Sequence, residues 1–369
     1  MKTHTPIKAK IAIALLMAMS LNACINLTDE EKQQIKEYIN SKTGVITTKG
    51  DTITVNDTNY DTNGAVVVAD GVQTDASALK EGMVVTVSGT EYSDGRGVAT
   101  QISFDDEVEG IVSTNAVTPG SASGTLTVMG QTVHVDASTI FASYDVSDLS
   151  VADIDPGNIV EVSGYSSGKG EIWATRIEVK NMQYNPGEEI ELKGYVSNAT
   201  SNSFQIGNLT VDMSNAALDS DFMGTVSNGQ YIKVSSTQGF DNNGNLIATE
   251  LDLKSTDSKE IKHRENDENV EVKGAITGSL SGNQIEINGS LVLLDNNLSI
   301  SDAVRNSLTK GNIVEAEGYV DANGQFVVTK LELENENEFD DDAKSSLDND
   351  SENDSDSDNS SQKADDDDD

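Results

Sequence analysis

Gly157-Asn-Ile-Val-Glu-Val-Ser-Gly164 is the stretch of sequence that decides the fold. Its apolar residues alternate with polar ones, and this period of two is typical of a β-strand with one buried face. Close relatives of the stretch begin at Gly82, Gly229 and Gly311. Internal repetition of this kind predicts similar small domains arranged in tandem.

A second strand follows each copy, and the two strands are predicted to form a hairpin. In repeat 2 the second strand carries Ala174-Thr-Arg-Ile177, and Gly168 marks the turn. Two shorter strands come earlier, at Gly124–Val128 and Thr132–Val135, with their turn at Met129-Gly130. Each repeat opens with a further strand. The predicted order is therefore three strands, a variable segment with room for one or two helical turns, and a two-stranded hairpin.

This order is that of an OB-like five-stranded barrel, and we predict four such barrels in tandem. Closing each sheet on itself would cover the edge strands that a small open sheet exposes. Small β-sandwiches are the alternative. The predicted fold class is all-β, with a short N-terminal helix before the first repeat and a disordered acidic tail after the last.

The strand pattern Gly-x-x-Val-x-Val-x-Gly, followed by a turn glycine and Ala-Thr-x-Ile, resembles the bacterial domain-of-unknown-function family 5666. The resemblance covers about residues 43–335. Ser236 stands where the other repeats have the second glycine of the strand, and Val328 stands where they have alanine. The resemblance implies a small β domain used outside the cytoplasm, and the family carries no assigned activity.

The domain boundaries follow from the repeats and from the charged or Pro-Gly-containing stretches between them. The predicted segments are a lipoprotein signal peptide at 1–23, a lipid anchor and short helical spacer at 24–42, repeat 1 at 43–107, repeat 2 at 108–181, a linker at 182–189, repeat 3 at 190–255, a charged linker at 256–269, repeat 4 at 270–335 and the acidic tail at 336–369. The spacer is predicted to be helical because Thr28 and Glu31 form a capping box. The tail has almost nothing apolar to bury, so it cannot offset the entropy of ordering.

The first residues predict export and lipidation. Three lysines precede the apolar run Ile11–Leu21, which has the length of a signal-peptide core and falls short of the roughly 20 residues of a membrane span. Leu21-Asn-Ala-Cys24 resembles a bacterial lipobox, in which Cys24 receives the lipid. Cys24 is the single cysteine of the chain, so no intramolecular disulfide can form. The resemblance to Gram-negative lipoproteins implies triacylation of Cys24, and Ile25 after it implies sorting to the outer membrane.

The formal net charge of −39 limits the partners. Nucleic-acid binding is not expected, because phosphate contacts need a basic surface. The predicted partners are the lipid bilayer, through acylated Cys24, and an unknown envelope protein or glycan. Calcium is a further candidate partner, since the acidic tail could collect cations loosely. Calorimetry with calcium on the intact and the tail-deleted chain tests that candidate.

Residues with catalytic or zinc-binding potential are few. His134 alternates with valines on a predicted strand and should point outward, and His263 lies in the charged linker. Neither has a cysteine or second histidine nearby with which to complete a zinc site. We therefore predict no catalytic, cofactor-binding or metal-binding residue. Trp173 is interpreted as half-buried packing, with a ligand-stacking role as the alternative.

Three acidic stretches were weighed as sites. Asp105-Asp106-Glu107 closes repeat 1 and is interpreted as a solvated junction. Asp241-Asn-Asn-Gly244 and Asp321-Ala-Asn-Gly324 are rich in oxygen ligands, but their spacing differs from that of a calcium loop. Asn-Gly is favoured at hairpin turns for backbone reasons alone. We interpret both as turns.

Together these features predict a membrane-anchored bacterial envelope lipoprotein that acts as a non-catalytic binding or scaffolding module. Its expected place is the outer membrane, on the periplasmic or the surface face. The first alternative is an acidic protein that binds or buffers divalent cations in the envelope. The second, less favoured, is an enzyme with a site between barrels. Binding specificity is expected in the variable segments and the hairpin turns.

Overall fold

The computed structural model describes residues 35–143, 149–219, 222, 225–254 and 270–334, with side chains from Ser41 onward except that of Ala303. The predicted signal peptide, the lipidation site Cys24, the charged linker with His263 and the acidic tail lie outside these residues. Within them, no helix has the length and apolarity needed to cross a membrane.

The described residues form an almost purely β structure, so the predicted all-β class is confirmed. Repeat 1 contains β1 (Ile35–Lys49), β2 (Thr52–Val55), β3 (Thr58–Asp61), β4 (Val66–Ala69), β5 (Val72–Thr74), β6 (Val84–Tyr92) and β7 (Arg96–Phe104). Repeat 2 contains β8 (Val108–Asn115), β9 (Gly124–Val128), β10 (Gln131–Val135), β11 (Ile140–Ser143), β12 (Ile159–Ser166) and β13 (Glu171–Asn181). Repeat 3 contains β14 (Ile190–Tyr195), β15 (Ser203–Ile206), β16 (Leu209–Asp212), β17 (Ala217–Leu218), β18 (Tyr231–Ser236), β19 (Leu246–Ile247) and β20 (Glu250–Lys254). Repeat 4 contains β21 (Val270–Ser281), β22 (Gln284–Ile287), β23 (Ser290–Leu294), β24 (Ile313–Val320) and β25 (Phe326–Leu333).

Within the described residues, helical structure is confined to the variable segments, as their position predicts. There are two 3-10 turns, η1 (Ala76–Ala78) and η2 (Val151–Asp153), and one short helix, α1 (Asp302–Ser307). They precede the glycines that begin the repeated stretch in repeats 1, 2 and 4, which are Gly82, Gly157 and Gly311. The helix α1 is capped by Ser301, whose hydroxyl accepts a hydrogen bond from the Val304 amide.

The strands of repeat 2 pair in one continuous order. β8 pairs antiparallel with β9, β9 antiparallel with β10, and β10 parallel with β13. β13 then pairs antiparallel with β12, and β12 antiparallel with β8. Repeats 1 and 4 follow the same order through β1-β2-β3-β7-β6 and β21-β22-β23-β25-β24. In repeat 3 the last strand is divided into β19 and β20, and a single bridge, Ser197↔Gln205, links the first two strands.

Pairing also continues between repeats. β1 of repeat 1 runs parallel to β21 of repeat 4, with Ser41 opposite Val270, and both repeats share a 12-stranded sheet. β8 of repeat 2 runs antiparallel to β14 of repeat 3, and these two repeats share a 10-stranded sheet. The first repeat in the sequence is therefore joined by hydrogen bonds to the last.

The alternating aliphatic side chains fill the interior of each repeat. Val160 and Val162 on β12 are fully buried, as are Leu126 and Val133 on the strands that face them. Complete burial of such a side chain contributes roughly 1.5–3 kcal/mol to stability. The core of repeats 2 and 3 is continuous, whereas repeats 1 and 4 each have a separate cluster.

The second glycine of the repeated strand is needed because a neighbouring backbone approaches it closely. A Cβ at Gly164 would lie within 3.0 Å of the Trp173 carbonyl group, and Gly89 and Gly318 face the same obstruction. The strand register shifts at each of these glycines, as at a β-bulge. Repeat 3 tolerates Ser236 here because its opposing strand is interrupted, and the Ser236 hydroxyl donates to the Ile247 carbonyl at 2.6 Å.

Gly164→Ala is expected to lower the free energy of unfolding by about 1–3 kcal/mol, the cost of forcing an atom into a closely packed site. Urea denaturation measures it. Gly50→Ala is the matched control, because a Cβ at Gly50 meets no atom within 4 Å. Equal stability of the two variants would contradict the close approach at Gly164.

The predicted N-terminal helix is wrong from Ile35 onward, and its earlier part lies outside the described residues. Residues from Ile35 belong to β1 and pair with the end of β6, Ile35 opposite Tyr92 and Tyr38 opposite Thr90. β6 extends beyond its bulge at Gly89, and its backbone groups there need partners. Helix propensity is a weak preference, and pairing with an available strand overrides it.

Candidate functional site

All four repeats contribute to one cavity of about 230 Å³. Its polar lining includes Thr43 and Thr86 of repeat 1, Ser166 of repeat 2, Lys193 and Lys254 of repeat 3, and Asn288 of repeat 4. A second and more open groove, of about 500 Å³, lies beside residues 155–158 and 181–185 at the end of repeat 2. The shared cavity is of greater interest, because buried charged residues lie next to it where repeats 1 and 3 meet.

Lys193 places a buried ammonium group in this interface. Its Nζ lies 3.1 Å from Asp70 Oδ1, 3.2 Å from Asp105 Oδ1 and 3.2 Å from Asp106 Oδ1, and it donates to the Asp106 carbonyl at 2.9 Å. The Lys193 side chain is only 6% exposed. Burial alone would lower the pKa of Lys193, but the three carboxyl groups outweigh it and hold the pKa well above its usual range.

Asp70 and Asp106 are neighbouring carboxyl groups whose pKa values shift in opposite directions, and Asp70 Oδ1 accepts a hydrogen bond from the Asp106 amide at 3.1 Å. Burial raises the pKa of Asp106 well above its usual range. Burial acts on Asp70 in the same direction, but a hydrogen bond from Asp106 and the charge of Lys193 outweigh it and lower the pKa of Asp70. Burial therefore makes Asp106 the more readily protonated of the two carboxyl groups, while Lys193 favours the charged form of Asp70.

Asp70, Asp106 and Glu191 bring carboxylate oxygens within 4.8 Å of one another, a spacing that would suit a metal ion. The Lys193 ammonium, however, already lies within 3.2 Å of Asp70 and Asp106. Glu191 forms its own ion pair with Lys233. The positive charge at this point is therefore supplied by the chain itself, and we assign the cluster to Lys193 rather than to a metal.

Lys42 forms a second buried cluster, between repeats 1 and 4. Its Nζ lies 2.6 Å from Glu91 and 2.9 Å from Glu271, and the Lys42 and Glu91 side chains are 4% and 2% exposed. Glu91 also accepts hydrogen bonds from the Tyr60 hydroxyl at 2.7 Å and the Thr58 hydroxyl at 2.8 Å. Burial would lower the pKa of Lys42, but its two glutamate partners raise it on balance.

Sequence reasoning missed both clusters and misplaced two of their members. The prediction of a solvated junction at 105–107 is wrong for Asp106, which is buried because Lys193 of repeat 3 packs on it. Lys42, the last residue of the predicted spacer, is a buried ion-pair residue. The sequence does contain one relevant feature. The first strand of each repeat carries a glycine, and the residue before that glycine is Thr43, Glu109, Lys193 or Lys273 in the four repeats. Glu109 and Lys193 thus carry opposite charges at the same position of their repeats.

His134 and Trp173 lie together on the outer face of repeat 2. Their rings stack with centroids 5.1 Å apart, and His134 Nε2 is 3.5 Å from Glu171. His134 points outward as predicted, with its side chain 35% exposed. Trp173 is half-buried, as its packing interpretation requires, and His134 covers one face of the indole ring.

The two oxygen-rich turns are confirmed as turns. Asp241 Oδ1 accepts hydrogen bonds from the amides of Asn243 and Asn245, each at 2.8 Å. Asp321 Oδ1 does the same for Asn323 and Gln325, at 2.8 and 2.9 Å. These bonds lower the pKa of both aspartates. The carboxylates therefore hold the hairpin loops in shape.

The family model "Domain of unknown function (DUF5666)" matches residues 43–103, 109–178, 193–252 and 273–332. Each matched segment falls within one of the four predicted repeats. No curated protein matches the chain. Among solved structures, one titled "drosophila Unr CSD456" is similar at 10% identity, covering 62% of this chain and 97% of that one. Its TM-score is 0.17.

Proposed function

This chain belongs to the DUF5666 family of domains of unknown function, and on that premise we propose that it is a lipid-anchored bacterial envelope protein with a non-catalytic binding or scaffolding role. The observation that supports this proposal is that its buried lysines form ion pairs between repeats. Lys193 joins repeat 3 to repeat 1, and Lys42 joins repeat 1 to repeat 4. These ion pairs act between the repeats and hold them in one unit.

A fixed array of four similar domains suits a scaffold. Its exposed hairpin turns, such as those at Gly95, Gly244 and Gly324, are held at set distances from one another. Binding sites that are held together raise one another's effective concentration, so weak contacts at several turns can add up to tight binding. The partner class we propose is an extended envelope protein or glycan. A purified chain that turns over an envelope substrate, with activity abolished by one substitution, would contradict this role.

We also infer that each repeat is an OB-like five-stranded barrel rather than a small β-sandwich. The order of strand pairings supports this, because in repeat 2 it starts at β8 and returns to β8. The parallel pairing of β10 with β13 is the second support, since a sandwich of hairpins would pair its strands antiparallel. A solved structure of repeat 2 with two separated sheets would overturn the inference.

The anchoring part of the proposal depends on Cys24. Cys24→Ser is expected to move the chain from the membrane fraction of bacterial cells to the soluble fraction, because acyl chains are what would hold so acidic a protein at a lipid surface. Fractionation followed by immunoblotting measures the shift, and incorporation of a labelled fatty acid should disappear with it. Ser20→Ala, within the same signal, is the control. Membrane retention of the unlabelled Cys24→Ser chain would contradict lipid anchoring.

A further inference from the structure

Four glutamates lie side by side across the sheet that repeats 2 and 3 share. Glu178 on β13 is opposite Glu161 on β12, and Glu161 is opposite Glu109 on β8. Glu109 is in turn opposite Glu191 on β14. We call these four residues the glutamate row. Residues directly opposite on neighbouring strands have Cβ atoms about 4.5–5.5 Å apart, and like charges so placed destabilise a sheet.

Three members of the glutamate row have a cationic partner. Glu178 pairs with Arg176 at 2.8 Å and Glu161 with Lys180 at 2.7 Å. Glu191 pairs with Lys233. Among the described residues, Glu109 has neither an ion pair nor a side-chain hydrogen bond. It therefore sits between two glutamates, Glu161 and Glu191, with no cation of its own.

The surroundings of Glu109 favour its neutral form. Burial raises the pKa of Glu109 to about 7, and the negative charges of Glu161, Glu191 and Asp70 act in the same direction. Lys180 opposes them, but its ammonium is bonded to Glu161. Near neutral pH, Glu109 consequently changes between a neutral and a charged form.

The glutamate row crosses the junction at the point where the two repeats are joined by backbone. β8 and β14 pair through two register positions, Glu109 with Glu191 and Val108 with Leu192. The adjacent Lys193 amide donates to the Glu107 carbonyl at 3.3 Å, a long hydrogen bond between the repeats. A charge on Glu109 would act directly on this short ladder.

We propose that the glutamate row makes the junction between repeats 2 and 3 sensitive to pH, and that ionisation of Glu109 is the event that loosens it. When Glu109 is neutral, the β8–β14 ladder holds. When Glu109 is charged, the carboxylates of Glu161, Glu109 and Glu191 lie side by side across the β8–β14 ladder. Only two cations, Lys180 and Lys233, are paired with these three carboxylates. The proposal concerns the folded repeats alone and does not depend on the lipid anchor or on a partner.

The direction of the effect follows from linkage. The folded chain binds a proton at Glu109 more tightly than the unfolded chain does, because its pKa is raised from about 4.3 in an unfolded peptide. This contribution to stability is complete below about pH 4.3 and is lost as the pH rises through about 7. The junction should therefore be firm in mild acid and looser in mild alkali.

Carbon-detected NMR of the side-chain carboxyl groups tests the proposal on the full chain. Glu109 is expected to titrate with a midpoint near 7, and the exposed Glu250 serves as the reference within the same spectrum. Hydrogen exchange of the Lys193 amide is the second measurement. Between pH 5 and pH 8 the protection of the Lys193 amide should fall by up to about a hundredfold in the wild type, because pH 5 lies about two pH units below the raised pKa of Glu109 and each unit corresponds to a factor of ten.

Glu109→Gln is the decisive variant, because glutamine resembles the neutral acid. It should keep the Lys193 amide protected at pH 8 and leave the protection of the Val112 amide, bonded within repeat 2, unchanged. Glu250→Gln should behave as the wild type. A Glu109 midpoint below about 5.5, or the same loss of Lys193 protection in Glu109→Gln as in the wild type, would overturn the proposal.

Discussion

Lys193→Met is expected to lower the free energy of unfolding by about 3–5 kcal/mol at pH 8, the typical cost of removing one partner from a buried ion pair. Methionine keeps most of the length of the side chain, so the loss comes mainly from the charge. Asp70, Asp105 and Asp106 would be left facing one another, and Asp106 is almost completely buried. Chemical denaturation at pH 8 measures the loss.

The pH dependence of Lys193→Met separates the loss of a charge from a packing defect. Without the ammonium, the pKa values of Asp70 and Asp106 rise in the folded chain, because Lys193 lowers both, so the penalty grows with pH and shrinks in acid. The variant should therefore recover much of its stability at pH 5. Lys254→Met is the control, because Lys254 lines the same cavity but is 33% exposed and is 3.9 Å from its partner Asp252. A loss that is equal at pH 5 and pH 8 would contradict the assigned role.

Lys42→Met is expected to cost about 3–5 kcal/mol for the same reason, this time at the junction of repeats 1 and 4. Glu91 and Glu271 would lose their shared cation, and Glu91 is 2% exposed. Adding Glu91→Gln should restore part of the loss, because glutamine can still accept a hydrogen bond from Tyr60. The stability of both variants is measured by denaturation at neutral pH.

Lys330→Met provides the comparison for Lys42→Met. Lys330 also pairs with two glutamates, Glu317 and Glu332, but its side chain is 50% exposed. Exposed ion pairs contribute roughly 0–1 kcal/mol. If Lys42→Met were no more damaging than Lys330→Met, the Lys42 cluster would not be holding the two repeats together.

Local patterns predicted the strands well, and they failed where one repeat meets another. The alternation in residues 157–164 placed Val160 and Val162 in the interior correctly, because a strand with one buried face must alternate. The same alternation places Glu161, between them, on the polar face of the strand. Glu161 is 14% exposed and belongs to the glutamate row. The pattern reports which face points inward, but not what covers the other face.

The N-terminal segment shows the same limit. Residues 35–42 have the composition of a helix, and nothing in their own sequence indicates that they pair with β6 or β21. The partner strand β21 begins at Val270, more than 200 positions along the chain from Lys42. Contacts over such a separation produce no periodic pattern of residues in the sequence. The ion pair between Lys42 and Glu271 could therefore not be predicted from sequence.

The repeated unit can be derived from the sequence alone: the order of its five main strands, its inward aliphatic residues, its turn glycines and the family to which the chain belongs. These features are local, because each repeat must bury its own interior. Only the tertiary structure decided that repeat 1 joins repeat 4, that Lys193 and Lys42 are buried, and that Glu109 lies between two glutamates. The physical reason is that a charge acquires its energy from the groups around it, and here those groups come from other repeats.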